Sequence, residues 1–163
     1  MPTPAGYCPR CGQPATLQPY EDQTLPTCTA CPWIGWIDPK LVAVALLWNE
    51  AKEILLIRRG IEPHLGEWAL PGGFVGPHEH PFEAAEREAE EELNCTVILF
   101  DLPRIRQAPL TPDRGVIIIG NPGEISKGTP SPTEEALEVR FFPLSALPEI
   151  AFPTHADLIK TLE

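Results

Sequence analysis

The chain has 163 residues, 43% hydrophobic and 21% charged, enough for one ordinary domain and a small appendage. Asp and Glu number 23 against 12 Lys and Arg, a formal net charge of -11; such a surface repels nucleic-acid backbones and anionic lipid and excludes both as bulk partners. The longest apolar run, Leu41 to Trp48, is far short of the roughly 20 residues that cross a bilayer, and the N-terminus does not read as a secretory signal, so a cytoplasmic, reducing compartment is expected.

Four of the five cysteines form Cys8-Pro-Arg-Cys11 and Cys28-Thr-Ala-Cys31, with 16 residues between the pairs. Each Cys-x-x-Cys turn points two thiolates at one centre, and two such turns complete a closed tetrahedral site, so a zinc ribbon is predicted over residues 1–38 with Zn2+ on Cys8, Cys11, Cys28 and Cys31. Two disulfides, or redox chemistry, are the competing readings; the compartment disfavours the first, and the second needs a single motif on a helix. Between Met1 and Lys40 the only cations are Arg10 and Lys40, against Glu21, Asp22 and Asp38. No basic stripe tracks phosphates there, which favours a structural or dimer-forming role.

Residues 39–163 read as the main domain. Leu41 to Trp48 and Glu53 to Ile57, separated by Asn-Glu-Ala-Lys, predict a hairpin whose first strand is buried on both faces. Trp68 to Leu70 reads as a strand entering a glycine turn at Gly72 and Gly73. A helix is predicted from Pro81 to Leu93, with Pro81 at N1 and with His80 too poor an N-cap to close its start. Thr96 to Phe100, Val116 to Ile119 and Val139 to Phe142 read as strands, Gly120 to Thr133 as a long loop, and His155 to Leu162 as a closing helix. The 21 prolines read as loop stiffeners, and the fold class is α/β or α+β with packed layers. His64, His78, His80 and His155 show no ligand spacing with one another.

At about 100° per residue, Glu88, Glu91 and Glu92 share one arc of the helix, Phe82, Ala85, Ala89 and Leu93 form an adjoining core stripe, and Glu83, Glu86 and Glu90 a solvated face. Like charges about 4 Å apart repel by about 4 kcal/mol at an effective dielectric of 20. A carboxylate stripe beside a core therefore calls for a cation, and hard oxygen donors suit Mg2+ or Mn2+.

The run Gly73-x5-Glu79-x7-Arg87-Glu88-Ala89-x-Glu91-Glu92-x-Asn94-Cys95 resembles the Nudix box, with every charged position matched. Asn94 stands where the family has glycine, and asparagine also tolerates the left-handed helix end. Ala89 and Cys95 are small for bulky apolar positions; Cys95 reads as a buried small hydrophobe. The resemblance implies an α/β/α sandwich with a mixed sheet behind the zinc ribbon, a Nudix domain over 39–163, and a Mg2+- or Mn2+-dependent phosphoanhydride hydrolase. It implies that Glu88, Glu91 and Glu92 hold the metal and supply the base, that Glu79 and Arg87 brace the loop onto the helix, and that Glu135 adds a metal-binding carboxylate.

A zinc ribbon joined to a Nudix domain resembles NADH pyrophosphatases and zinc-ribbon FAD or ADP-ribose pyrophosphatases. Leu102 to Pro109 replaces the Ser-Gln-Pro-Trp-Pro-Phe-Pro segment of the NADH enzymes, which places the chain nearer the FAD and ADP-ribose type, with Pro109 to Gly115 as an insertion. Expected substrate contacts are Arg58, Arg106, Gly72 and Gly73, with Arg59 and Arg104 as further candidates. The expected reaction cleaves the diphosphate of FAD, ADP-ribose or NADH to a nucleoside monophosphate and a second phosphate. Rival readings are a nucleoside triphosphate or diadenosine polyphosphate hydrolase and a catalytically silent nucleotide-binding module. The expected partner is a nucleotide-containing small molecule, and the resemblance implies a homodimer.

Overall fold

A computed structural model describes residues 6–111 and 114–162. The chain divides into two compact units, Met1–Pro39 with Pro109–Gly115, and Lys40–Ala108 with Val116–Glu163. In the smaller unit, β1 (Ala15–Tyr20) and β2 (Gln23–Cys28) pair antiparallel from Ala15↔Cys28 to Tyr20↔Gln23. Glu21 closes that hairpin at φ 51. Leu25 is fully buried, and Tyr20 meets Trp36 edge-on at 4.9 Å.

After Pro39 the chain forms β3 (Lys40–Leu47), β4 (Glu53–Arg59), β5 (Trp68–Ala69), β6 (Gly72–Phe74), α1 (Pro81–Leu93), β7 (Thr96–Leu99), β8 (Arg104–Thr111), β9 (Arg114–Lys127), β10 (Ala136–Pro143) and α2 (Pro153–Ile159), with short 3-10 turns at Leu144–Ala146 and Lys160–Leu162; the end of β8 and the start of β9 are counted in the smaller unit and the rest in the larger. One sheet has the order β6-β3-β9-β7, with β8 beside β9; the other has the order β10-β4-β5. The first sheet is mixed, since β3 runs parallel to β9 while β6 and β7 are antiparallel to their neighbours.

The two-residue period of the central strands builds a core on each face. Ala43, Ala45 and Leu47 of β3, with Leu55 and Ile57 of β4, pack against Ala84, Ala85, Ala89 and Leu93 of α1. Val44 and Leu46, with Ile54 and Leu56, pack against Leu158 and Ile159 of the α2 end. Each such fully buried leucine or isoleucine contributes roughly 1.5 to 3 kcal/mol relative to exposure. The result is the predicted layered sandwich with helices on both sides of the sheets.

Several local expectations change. The Asn49 to Lys52 turn forms, and Asn49 clamps it by accepting from Glu53 N–H at 3.0 Å and donating to the Glu53 carboxylate at 2.8 Å. Yet β3 and β4 enter different sheets, joined by the single bridge Trp48↔Ile54, so they are not a hairpin. Gly72 and Gly73 do not make a turn; they are strand residues paired with Val44 and Ala43. Residues 120–127 extend β9 rather than forming a loop, and β8 was not anticipated. Pro122 lies inside β9, and Pro26 inside β2, so proline is not confined to loops. Among the described residues no helix is long and apolar enough to cross a membrane.

Candidate active site and metal centre

The start of α1 is closed by His80, contrary to the expectation for that residue. Its Nδ1 accepts the Phe82 N–H at 3.2 Å, while the Glu83 carboxylate accepts the His80 N–H at 3.2 Å, a complete capping box. Asn94 ends the helix at φ 52 and ψ 34. Its side chain reaches Ser131, whose own N–H donates to Leu93 O at 2.9 Å. Glu83 and Glu90 are therefore not merely solvated, since Glu90 also accepts a backbone N–H, from Val97 at 3.4 Å.

Arg87 is the hub of the acidic face. Its Nε and Nη2 donate to the two carboxylate oxygens of Glu79 at 2.7 and 3.0 Å, and its Nη1 donates to Glu88 at 2.8 Å and Glu91 at 3.4 Å. Glu79 also accepts the Gly76 N–H at 2.9 Å, which ties the 75–80 loop to the helix. These bonds, those from Arg87 first, pull the Glu79 carboxyl down to about 2, while the two carboxylates raise the Arg87 guanidinium above its ordinary range.

Glu92 is only 6% exposed, and its carboxylate accepts the Gly72 N–H at 2.8 Å. Burial lifts its pKa to about 8; the Gly72 bond works against this, and the charges of Glu88 and Glu135 add to it. Gly72 has φ 144, and a Cβ there would run into the Ala43 and Val44 backbone. At Gly73 a Cβ would lie 2.5 Å from the Glu88 carboxylate. Gly72 is thus required by its φ and its close approach to the β3 backbone, whereas a side chain at Gly73 would make the Glu88 carboxylate turn aside.

The other predicted residues have local partners of their own. Glu135 is exposed, near enough to Glu92 to perturb it, and its carbonyl accepts the Gly60 N–H. Arg58 Nε donates to Gly66 O at 2.9 Å, with its guanidinium 3.8 Å from Glu138. Arg106 donates to Ile105 O at 2.8 Å and Asp157 O at 3.5 Å, and Arg104 to Leu102 O. Among the described residues, Glu88, Glu91, Glu92 and Glu135 are not drawn round one point as the cysteines are.

The four cysteine sulfurs lie within 4.8 Å of one another, Cys8 to Cys31 at 3.7 Å and Cys11 to Cys28 at 3.5 Å. Cys8 O accepts the Gly12 N–H, with Gly12 at φ 73, and Cys28 N–H donates to Trp33 O, so each knuckle is a closed backbone turn. The Ala30 N–H to Cys28 Sγ bond draws that thiol down to about 6, whereas burial pushes Cys31 up to about 12. Cys95 is buried in the α1 core, and burial raises its thiol.

Arg59, a further candidate contact, and His155, which the sequence did not signal, both gain weight here. Arg59 lies 5.1 Å over the Phe152 ring and lowers the pKa of both Glu92 and His155. His155, read only as part of a closing helix, is buried and accepts the Leu70 N–H on Nδ1 at 3.2 Å.

The NUDIX domain profile matches residues 38–162. An ADP-ribose pyrophosphatase of Methanocaldococcus jannaschii is 37% identical over 127 residues, covering 73% of this chain and 70% of that protein. An 8-oxo-dGDP phosphatase of Mus musculus is 28% identical over 107 residues, 66% of this chain but 33% of that longer protein. The crystal structure of a NUDIX hydrolase from Nitrosomonas europaea superposes with a TM-score of 0.80 at 28% identity, covering 94% of this chain and 88% of that one.

Proposed function

Because the chain belongs to the Nudix hydrolase family, we propose that it cleaves the diphosphate of a nucleoside-diphosphate derivative of the ADP-ribose type, using Mg2+ or Mn2+, and that Zn2+ staples its N-terminal unit. The carrying observation is the 37% identity to an ADP-ribose pyrophosphatase. Water adds to one phosphorus, the bridging P–O bond breaks, and a nucleoside monophosphate and a sugar phosphate leave.

The donor sets suit these ions. Sulfurs at the corners of a tetrahedron with Zn–S of about 2.3 Å stand about 3.8 Å apart, close to the 3.5 and 3.7 Å between the cysteine sulfurs. Glu88, Glu91 and Glu92, with Glu135, offer hard oxygens for Mg2+. Bound there, the divalent ion supplies charge neutralisation and polarisation of the diphosphate.

The protein groups have separable tasks. Arg87 keeps Glu79 by two bonds but Glu88 and Glu91 by one each. Of the three carboxylates on Arg87, the latter two are consequently freer than Glu79 to turn towards a ligand. One glutamate of the stripe accepts the proton of the attacking water. Gly73 leaves room for the Glu88 carboxylate, while Arg58, Arg59, Arg104 and Arg106 are the candidate cations for phosphate or base.

Likeness to the mouse 8-oxo-dGDP phosphatase, and to a putative 8-oxo-dGTP diphosphatase of Bacillus subtilis at 35% identity over 79 residues, supports oxidised nucleotides as a second reading. Product analysis with ADP-ribose, FAD, NADH, 8-oxo-dGDP and 8-oxo-dGTP, with and without Mg2+, separates the two. AMP and ribose phosphate from ADP-ribose uphold the proposal. Turnover of none of these, or turnover undiminished in Glu92→Gln, would sink it.

A further inference from the structure

The segment Leu70-Pro71-Gly72 passes from the end of β5 in one sheet to the start of β6 in the other. Pro71 has no N–H, so the segment owns two backbone donors, and each goes to a side chain. Leu70 N–H donates to His155 Nδ1 at 3.2 Å, and Gly72 N–H donates to Glu92 at 2.8 Å. Between them the Pro71 carbonyl accepts the Ala45 N–H at 2.9 Å. The strap is thereby pinned to α2 at one end, to β3 in the middle and to the carboxylate of α1 at the other end.

His155 is built for the acceptor role. It is buried, and both burial and the nearby Arg59 hold the imidazole down to about 3, so the ring stays neutral. Because a backbone N–H points at Nδ1, the ring proton resides on Nε2. Packing alone does not call for imidazole here, since the buried neighbours on the same short helix are Leu158 and Ile159. An aliphatic side chain would fill the volume but leave the Leu70 N–H without its acceptor.

We propose that His155 is a positioning residue for Glu92: it fixes the Leu70-Pro71-Gly72 strap so that the Gly72 N–H faces the Glu92 carboxylate. The link to turnover rests on the hydrolase reading above; the link to the Gly72 amide does not.

Two variants test it. His155→Leu removes the acceptor while keeping bulk, and His155→Asn offers Oδ1 close to the position of Nδ1. Hydrogen exchange at the Leu70 and Gly72 amides, followed by heteronuclear NMR, needs no substrate. Exchange at both is expected to accelerate by about tenfold or more in His155→Leu and to stay within about threefold of the parent in His155→Asn. For turnover, kcat is expected to fall about 10- to 100-fold in His155→Leu with KM little changed, and to recover largely in His155→Asn. A Gly72 amide that exchanges at the parent rate in folded His155→Leu overturns the proposal, as do equal kcat losses in both variants. Should His155→Leu not fold, His155→Gln, with its acceptor displaced by one methylene, takes its place with the same expectations. If the parent protein cleaves no diphosphate, the functional reading fails, and the amide exchange alone decides this inference.

Discussion

Arg87 and Glu79 meet side by side, two nitrogens against two oxygens at 2.7 and 3.0 Å, although eight positions separate them in the chain. The planar guanidinium can span both oxygens of Glu79 and still offer Nη1 to Glu88 and Glu91; an ammonium cannot. Arg87→Lys is accordingly expected to lower kcat by about tenfold or more, with the charge conserved. Steady-state kinetics check this, and parent-like turnover would show that charge alone suffices.

The same pair sets an acid limit. Glu79 has its folded value near 2 against an ordinary 4.5, so the stability from the pair is fully present above about 4.5 and is lost as pH falls through about 2. Urea titrations from pH 5 downward should show a steeper loss for the parent than for Glu79→Gln.

Glu92 works in the opposite sense. Its folded value near 8 lies above the ordinary 4.5, so its contribution is present below about 4.5 and is lost as pH rises to about 8. Without Mg2+, the parent should lose stability across that window by on the order of a few kcal/mol, and Glu92→Gln should not. Added Mg2+ is expected to return part of the loss, because a ligand that binds only the folded state stabilises it. Thermal melts at pH 5 and pH 8, with and without Mg2+, measure all three.

Gly73→Ala places a methyl group 2.5 Å from the Glu88 carboxylate. Strand pairing with Ala43 should survive, so the expected outcome is a folded protein with turnover down by about tenfold or more. A parent-like kcat in Gly73→Ala would mean that Glu88 can yield without consequence.

For the N-terminal unit, about one Zn2+ per chain is expected from the four clustered sulfurs, and little or none in Cys8→Ser or Cys28→Ser. Elemental analysis, with limited proteolysis to find cleavage confined to residues 6–39, is the check. Absence of zinc from carefully reduced parent protein would favour another role for the four thiols.

The sequence exposed the features that depend on short-range spacing. The helix bounds, the Asn94 stop, the acidic stripe and the two-sided burial of β3 all follow from residues at most a few turns apart. What escaped it depends on tertiary partners. Gly120-Asn-Pro-Gly123 has the composition of a turn, yet it is strand because β3 and β7 flank it, and Gly123 lets the Ile98 carbonyl approach. His80 looked a weak cap by residue type, and only the reach of Glu83 back to its N–H makes the box complete. The role of His155 was illegible for the same reason: its partner is 85 positions away, at Leu70.

The chain passes between the two sheets three times, through 48–52, 70–71 and 128–135. The second crossing carries the strap to Glu92, and the third carries Glu135 and the Ser131 and Thr133 bonds to the end of α1. Only the first is free of such duties, and Glu50 at its tip is exposed. The junction between Glu50 and Ala51 is therefore the natural splice point for a reporter domain or for new termini in a circular permutant, because a foreign segment entering there leaves both other crossings uncut.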